Sequence, residues 1–112
     1  MSILSIREAG LLIVMPEGYL DTETSPEADR LITDAVEQGE TRVLVDFSKT
    51  AYVSSAGLRV LLKASKSLHK VGGTFALCSP NEHIRNVLEV SGFASLMPSY
   101  ASPEEALRSM AK

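Results

Sequence analysis

The sequence has 112 residues, 45% hydrophobic and 22% charged, with 11 basic and 14 acidic side chains and a formal charge of −3. That length suits one domain able to bury a core without disulfides or metal, and the chain is too apolar and too weakly charged to be disordered. The acidic balance argues against a nucleic-acid binder, no apolar run approaches the roughly 20 residues of a bilayer span, and a single cysteine, Cys78, rules out an internal disulfide or a multi-cysteine zinc site.

Ile3 to Arg7 alternates apolar and polar residues, Leu11 to Met15 is an apolar run, and Glu8-Ala9-Gly10 between them reads as a hairpin turn. Ala28, Leu31, Ile32, Ala35 and Val36 recur at helical spacing and predict one apolar stripe. Arg42 to Phe47 is β-rich. Leu58, Leu61, Leu62 and Leu68 predict a second helix that stops at Gly72-Gly73. Thr74 to Cys78 is another β-rich run, in which Cys78 reads as a buried thiol. Ile84, Val87 and Leu88 mark a third helix ended by Gly92, followed by an irregular stretch around Leu96-Met97 and a terminal helix.

Three helix starts share one pattern. Ser25-Pro26, Ser79-Pro80 and Ser102-Pro103 each offer a hydroxyl as N-cap and a proline at the first helical position. Glu82 and Glu105 fall where a Ser-x-x-Glu capping box needs them. The order β-β-α-β-α-β-α plus a terminal helix predicts an α/β fold over residues 1–112 as a single domain. Its mixed sheet would have four to five strands, opening with an antiparallel hairpin, and about four helices would pack on it.

In such sheets functional loops gather beyond the carboxyl ends of the parallel strands. Gly18 to Thr24, Ser48 to Gly57 and Ser79 to Asn81 should meet there. Tyr52-Val53-Ser54-Ser55-Ala56-Gly57-Leu58 places two hydroxyls where a loop enters a helix, whose first turn carries Arg59 nearby and no carboxylate. A helix N-terminus favours an anion, so a phosphoserine is welcome there. On local chemistry alone the plainer reading is favoured: Ser54 or Ser55 only caps the helix and Gly57 only permits close packing.

Gly18-Tyr19-Leu20-Asp21-Thr22-Glu23-Thr24 resembles the Gly-x-Leu-Asp-x-x-Thr signature of the STAS domain family. Val43 to Phe47 and then Tyr52 to Leu62 resemble its central strand, loop and helix; Gly72-Gly73, Asn86 to Phe93 and Ser102 to Leu107 resemble the remaining segments. Within that family the chain is most similar to bacterial anti-sigma-factor antagonists. The resemblance implies partner switching: the unmodified protein binds an anti-sigma factor that is also a serine kinase of the histidine-kinase-like ATPase type, and phosphorylation releases it. A serine phosphatase would reset the switch. Carried across, the phosphorylated residue is Ser55, in Ser55-Ala56-Gly57, with Ser54 as runner-up and Asp21 as the aspartate close by. Two positions depart from the usual pattern: Ser54 stands where an aspartate precedes the phosphoserine, and Ala56 where a serine follows it. The implied partner surface comprises Asp21, Thr22, Glu23, Thr24, Ser54, Ser55, Ala56, Gly57 and Arg59.

The rival reading is a STAS subunit with a structural role in a signalling or lipid-transport assembly, where Ser55 is only a helix cap. A hydrolase is a distant third, because the first glycine of a nucleophile elbow is missing before Ser54-Ser55. No phosphate-loop motif is present, so the chain is expected to be a kinase substrate, not an enzyme, and to need no cofactor. His69 and His83 have no metal-ligand spacing with each other or with Cys78. Arg59, Lys63, Lys66 and Lys70 form a basic stripe that reads first as a solvated face and second as a steering surface. With no positive cluster and apolar run at the N-terminus, a cytoplasmic location without membrane insertion is expected.

Overall fold

In a computed structural model, which describes residues 3–110, the hairpin forms as its pattern implies. Strand β1 (Ile3–Glu8) pairs antiparallel with β2 (Leu11–Pro16), Ile6 facing Ile13. The turn residues Ala9 and Gly10 both adopt positive φ, +55° and +81°, the conformation whose twist matches that of the flanking strands. There follow β3 (Gly18–Leu20), α1 (Ser25–Glu37), β4 (Arg42–Asp46), β5 (Thr50–Val53) and α2 (Ser55–Lys70). The rest is β6 (Thr74–Cys78), α3 (Glu82–Val90), a single 3-10 turn at Phe93–Ser95, β7 (Ser99–Tyr100) and α4 (Pro103–Met110).

The main sheet has five strands in the order β1-β2-β4-β6-β7, parallel everywhere except at the hairpin. A second, two-stranded sheet joins β3 to β5 in parallel. The single α/β domain with its mixed sheet, N-terminal hairpin and four helices is therefore as the sequence implies. Strands β3, β5 and β7 are additions. They are three, four and two residues long, too short to show a period of two.

The central strands read as unbroken apolar runs because both of their faces are buried. One face carries Leu12, Val14, Val43, Val45, Phe75 and Leu77, and packs with Ile32, Leu61, Leu68 and Ile84 from α1, α2 and α3. The opposite face carries Leu11, Ile13, Leu44, Ala76 and Cys78, covered by Ala106 and Met110 of α4. Alternation along each strand thus feeds two cores. Helix α2 ends at Lys70, two residues before the predicted glycines: Gly72 is left-handed at φ +75°, and Gly73 N–H donates back to the Leu68 carbonyl at 2.7 Å.

Two of the three proposed serine caps are corrected. Ser25 does not cap α1. Its N–H already donates to the Asp21 carbonyl at 2.8 Å, an i to i−4 bond, so the chain winds helically before Ser25 and buries its hydroxyl. Ser79 does not cap α3 either, because it adopts φ +59° and hands the role to Asn81, whose Oδ1 accepts the Ile84 N–H at 2.8 Å. Glu82 is then the first residue of α3, out of place for a capping box. At α4 the pattern holds: Ser102 Oγ accepts the Glu105 N–H at 3.2 Å, and Glu105 Oε1 reaches back to the Ala101 N–H at 2.9 Å.

Candidate functional site

The small β3–β5 sheet brings the expected loops together. Leu20 lies in register with Val53, and the next residue, Ser54, donates its N–H to the Leu20 carbonyl at 2.9 Å. Asp21 and Ser54 therefore leave adjacent strand ends. The sheet is pinned at its base by the buried Thr50, whose Oγ1 donates to the Pro16 carbonyl at 2.6 Å. The third segment joins through Asn81, whose Nδ2 donates to the carbonyl of Ala51 at 3.1 Å and, at 3.4 Å, to that of Thr50.

Within the second loop the two serines have separate positions. Ser54 is extended (φ −91°, ψ 179°) and half-buried; its Oγ accepts the Gly57 N–H at 3.4 Å and its carbonyl accepts the Leu58 N–H at 2.9 Å. It is the N-cap of α2. Ser55 is the first residue of the helix and is exposed, with no acidic residue in the turn that it opens. Ala56 is half-buried beside it. Gly57 is buried against β3 and β5: a Cβ there would lie 2.6 Å from the Leu20 carbonyl oxygen and 2.9 Å from Val53 Cγ1. The Ser-x-Gly spacing thus has a steric cause, since only glycine lets the first turn of α2 sit on the end of β3.

Asp21 and Thr24 explain the Asp-x-x-Thr part of the first loop. Asp21 Oδ1 accepts from the N–H groups of Glu23 (3.0 Å) and Thr24 (3.2 Å) and from Thr24 Oγ1 (3.3 Å). Thr24 Oγ1 in turn accepts the Asp21 N–H at 3.0 Å, and its single proton is shared between Asp21 Oδ1 and the nearer Tyr19 carbonyl at 2.8 Å. This reciprocal pair winds Asp21 to Thr24 into a turn that leads directly into α1 at Ser25. Thr22 and Glu23, with no such task, are exposed at the tip.

The basic stripe splits. Lys63 forms an ion pair with Asp29 of α1 at 3.0 Å, whereas Arg59, Lys66 and Lys70 are exposed without an ion pair among the described residues. Arg59 alone of these lies in the turn after Ser55. Away from the site, Cys78 is fully buried; burial, reinforced by the Asp46 carboxylate, pushes its thiol up to about 12. It is not a nucleophile at neutral pH.

Sequence reasoning missed an aromatic row beside the serines. Tyr19 and Tyr52, 55% and 41% exposed, meet edge to face with ring centroids 5.9 Å apart, and Tyr52 stacks on His83 at 5.1 Å. The pairing of two very short strands brings Tyr19 to Tyr52 and the packing of α3 on β5 brings His83 to Tyr52, which nothing in the spacing of the three residues announces. Asn81 was noticed as a loop residue, but its tie to β5 was equally hidden.

The comparisons agree with this architecture. The family description "STAS domain" matches residues 3–106. The chain is 38% identical over 97 residues to BtrV of Bordetella bronchiseptica, named as a candidate anti-sigma factor antagonist, covering 87% of this chain and 84% of that one. It is 29% identical over 99 residues to the anti-sigma F factor antagonist of Paenibacillus polymyxa, covering 88% and 85% of the two chains. Among solved structures, a candidate anti-sigma factor antagonist from Thermotoga maritima superposes with a TM-score of 0.93 at 24% identity, over 98% of this chain and 95% of that one. Unphosphorylated SpoIIAA superposes at 0.84 and 24% identity, over 96% and 95%. The structures speak for the fold, and the family match spans both loops, the helix that Ser54 caps and the sheet beneath them: the chain belongs to the STAS domain family.

Proposed function

We propose that this STAS domain is an anti-sigma factor antagonist that works by partner switching at Ser55. Unmodified, it binds an anti-sigma factor that is also a serine kinase of the histidine-kinase-like ATPase type, and so frees the sigma factor. Phosphorylation of Ser55 dissolves the complex, and a serine phosphatase restores it. The domain is the substrate in this cycle and supplies no catalytic group. The contact surface is the edge formed by Asp21, Thr22, Glu23 and Thr24 with Ser54, Ser55, Ala56, Gly57 and Arg59, in which Thr22, Glu23, Ser55 and Arg59 are exposed and the buried Gly57 sets the position of the helix start.

The observation that carries this reading is the division between the serines. Ser54 is engaged in capping, whereas Ser55 stands exposed at the start of a 16-residue helix whose first turn has no acid to compete with a phosphate. The relatives' names, anti-sigma factor antagonists, point the same way. Phosphate adds about −1.5 to −2 charge to a protein already at −3. Like charges brought together at an interface cost several kcal/mol, and each 1.4 kcal/mol is about tenfold in affinity. One phosphate therefore suffices to break a complex without refolding the domain.

The test is to recover the anti-sigma kinase from the native cell, incubate it with the domain and ATP, and map the product by tandem mass spectrometry. Phosphate on Ser55, and loss of the complex in step with it, is the expected result. Phosphate elsewhere, or a complex indifferent to it, removes the switch and favours a structural STAS subunit.

A further inference from the structure

Arg59 begins the basic stripe, yet it differs from Lys63 in having no ion-pair partner among the described residues. Ser55 and Arg59 are four residues apart on α2, which places their Cβ atoms about 5–6 Å apart on the same side of the helix. Lys63 is held by Asp29, and Asp21 is occupied by the N–H groups of Glu23 and Thr24. Arg59 also lines a cleft of about 310 Å³ between the starts of α1 and α2, together with Thr22 and with Ala56, the residue next to Ser55; Asp29 and Lys63, which line it too, are paired with each other.

We infer that Arg59 is the intramolecular receptor of the phosphate on Ser55. This rests on the reading of Ser55 as the modified residue and adds what the phosphate does within the domain. In the unmodified protein the guanidinium is free to meet a partner's carboxylate. After modification it turns one helical step back and donates paired N–H bonds to two phosphate oxygens, a geometry that arginine forms and lysine does not. One modification thereby changes two charges on the contact surface, adding the phosphate and withdrawing the arginine.

The experiment places phosphoserine at position 55 during translation and follows the phosphate by phosphorus NMR across its second ionisation, near pH 6. The charged groups around it are Asp21 and Glu23 on the loop before α1, Asp29 on α1 and Lys63 on α2; all stay constant when Arg59 alone is changed. Arg59→Ala should raise the phosphate pKa by about half a unit, a threefold gain in proton affinity, at low salt. Arg59→Lys should fall between, and Lys63→Ala should leave the value within a tenth of a unit. Equal pKa values in the wild type and Arg59→Ala overturn the proposal. So does an equal effect of Lys63→Ala, which would mean a diffuse field in place of a specific contact. Because translation places the phosphate, the result is independent of whether a kinase selects Ser55, and kinase mapping fails or succeeds separately.

Discussion

The carbonyl oxygen of Leu20 is shared between the backbone of Ser54, whose N–H it accepts at 2.9 Å, and the bare α-carbon of Gly57, where a Cβ would approach it to 2.6 Å. One atom at the end of β3 thus fixes both the cap of α2 and the closeness of its first turn. Both loops of the proposed contact surface are referred to that single point.

Gly57→Ala should therefore be destabilising even though alanine is the better helix former. The obstructing atom is backbone, so α2 must move, and overpacking of this kind costs about 1–3 kcal/mol. The expected result is a lower urea midpoint with an unchanged m-value. An unchanged midpoint would mean that the helix has slack at this point.

Asn81→Ala should cost about 1–2 kcal/mol, because it removes both the cap of α3 and the tie to β5. Asn81→Ser, which restores a capping oxygen without the amide donor, should recover part of that loss. Urea unfolding of the three proteins reads the order directly. If Asn81→Ala matches the wild type, the tie to Ala51 is incidental.

What was legible in the sequence follows from length and periodicity. The helices of the Ile32, Leu61 and Ile84 stripes, and the runs that form β4 (Arg42–Asp46) and β6 (Thr74–Cys78), were readable because several residues repeat one geometry. The serine caps at Ser25 and Ser79 failed for local reasons. Asp21 begins winding the chain a turn early, and Ser79 takes a left-handed conformation that passes the cap to Asn81. In the candidate site, the segments that meet were legible. The contacts that join them were not, since Leu20 with Ser54, Tyr19 with Tyr52, and Asn81 with Ala51 depend on strands of three and four residues.

Cys78 should resist alkylation in the native protein at pH 8 and react once urea exposes it. Its thiol is raised from an ordinary 9.0 to about 12 by burial. Between those values the unfolded chain has lost a proton that the folded chain keeps, so stability falls as pH rises through that window. Urea midpoints measured at pH 8, 9 and 10 should decline more steeply in the wild type than in Cys78→Ala. Parallel declines would show that the thiol does not contribute.

The serines make the sharpest pair of variants, because stability and modification should separate between them. Ser54 Oγ accepts the Gly57 N–H, so Ser54→Ala leaves that donor without its partner and should cost up to about 1 kcal/mol. Ser55 is exposed and its side chain makes no hydrogen bond among the described residues that would be lost, so Ser55→Ala should unfold at the same urea concentration as the wild type. Under the proposed function the order reverses for labelling. Ser54→Ala should still accept phosphate from the kinase, more slowly if the loosened helix start presents Ser55 less well, whereas Ser55→Ala should accept none. Binding of the unmodified protein supplies the third axis: Ser55→Ala should hold the kinase as the wild type does, and Ser55→Asp should hold it less tightly, a carboxylate carrying part of the phosphate's charge. Phosphate mapped to Ser54, or undiminished labelling of Ser55→Ala, would move the switch by one residue and place it on the hydroxyl that caps the helix. Phosphorylation would then have to break the bond to Gly57 and unsettle the start of α2, and a drop in the stability of the modified protein would reveal it.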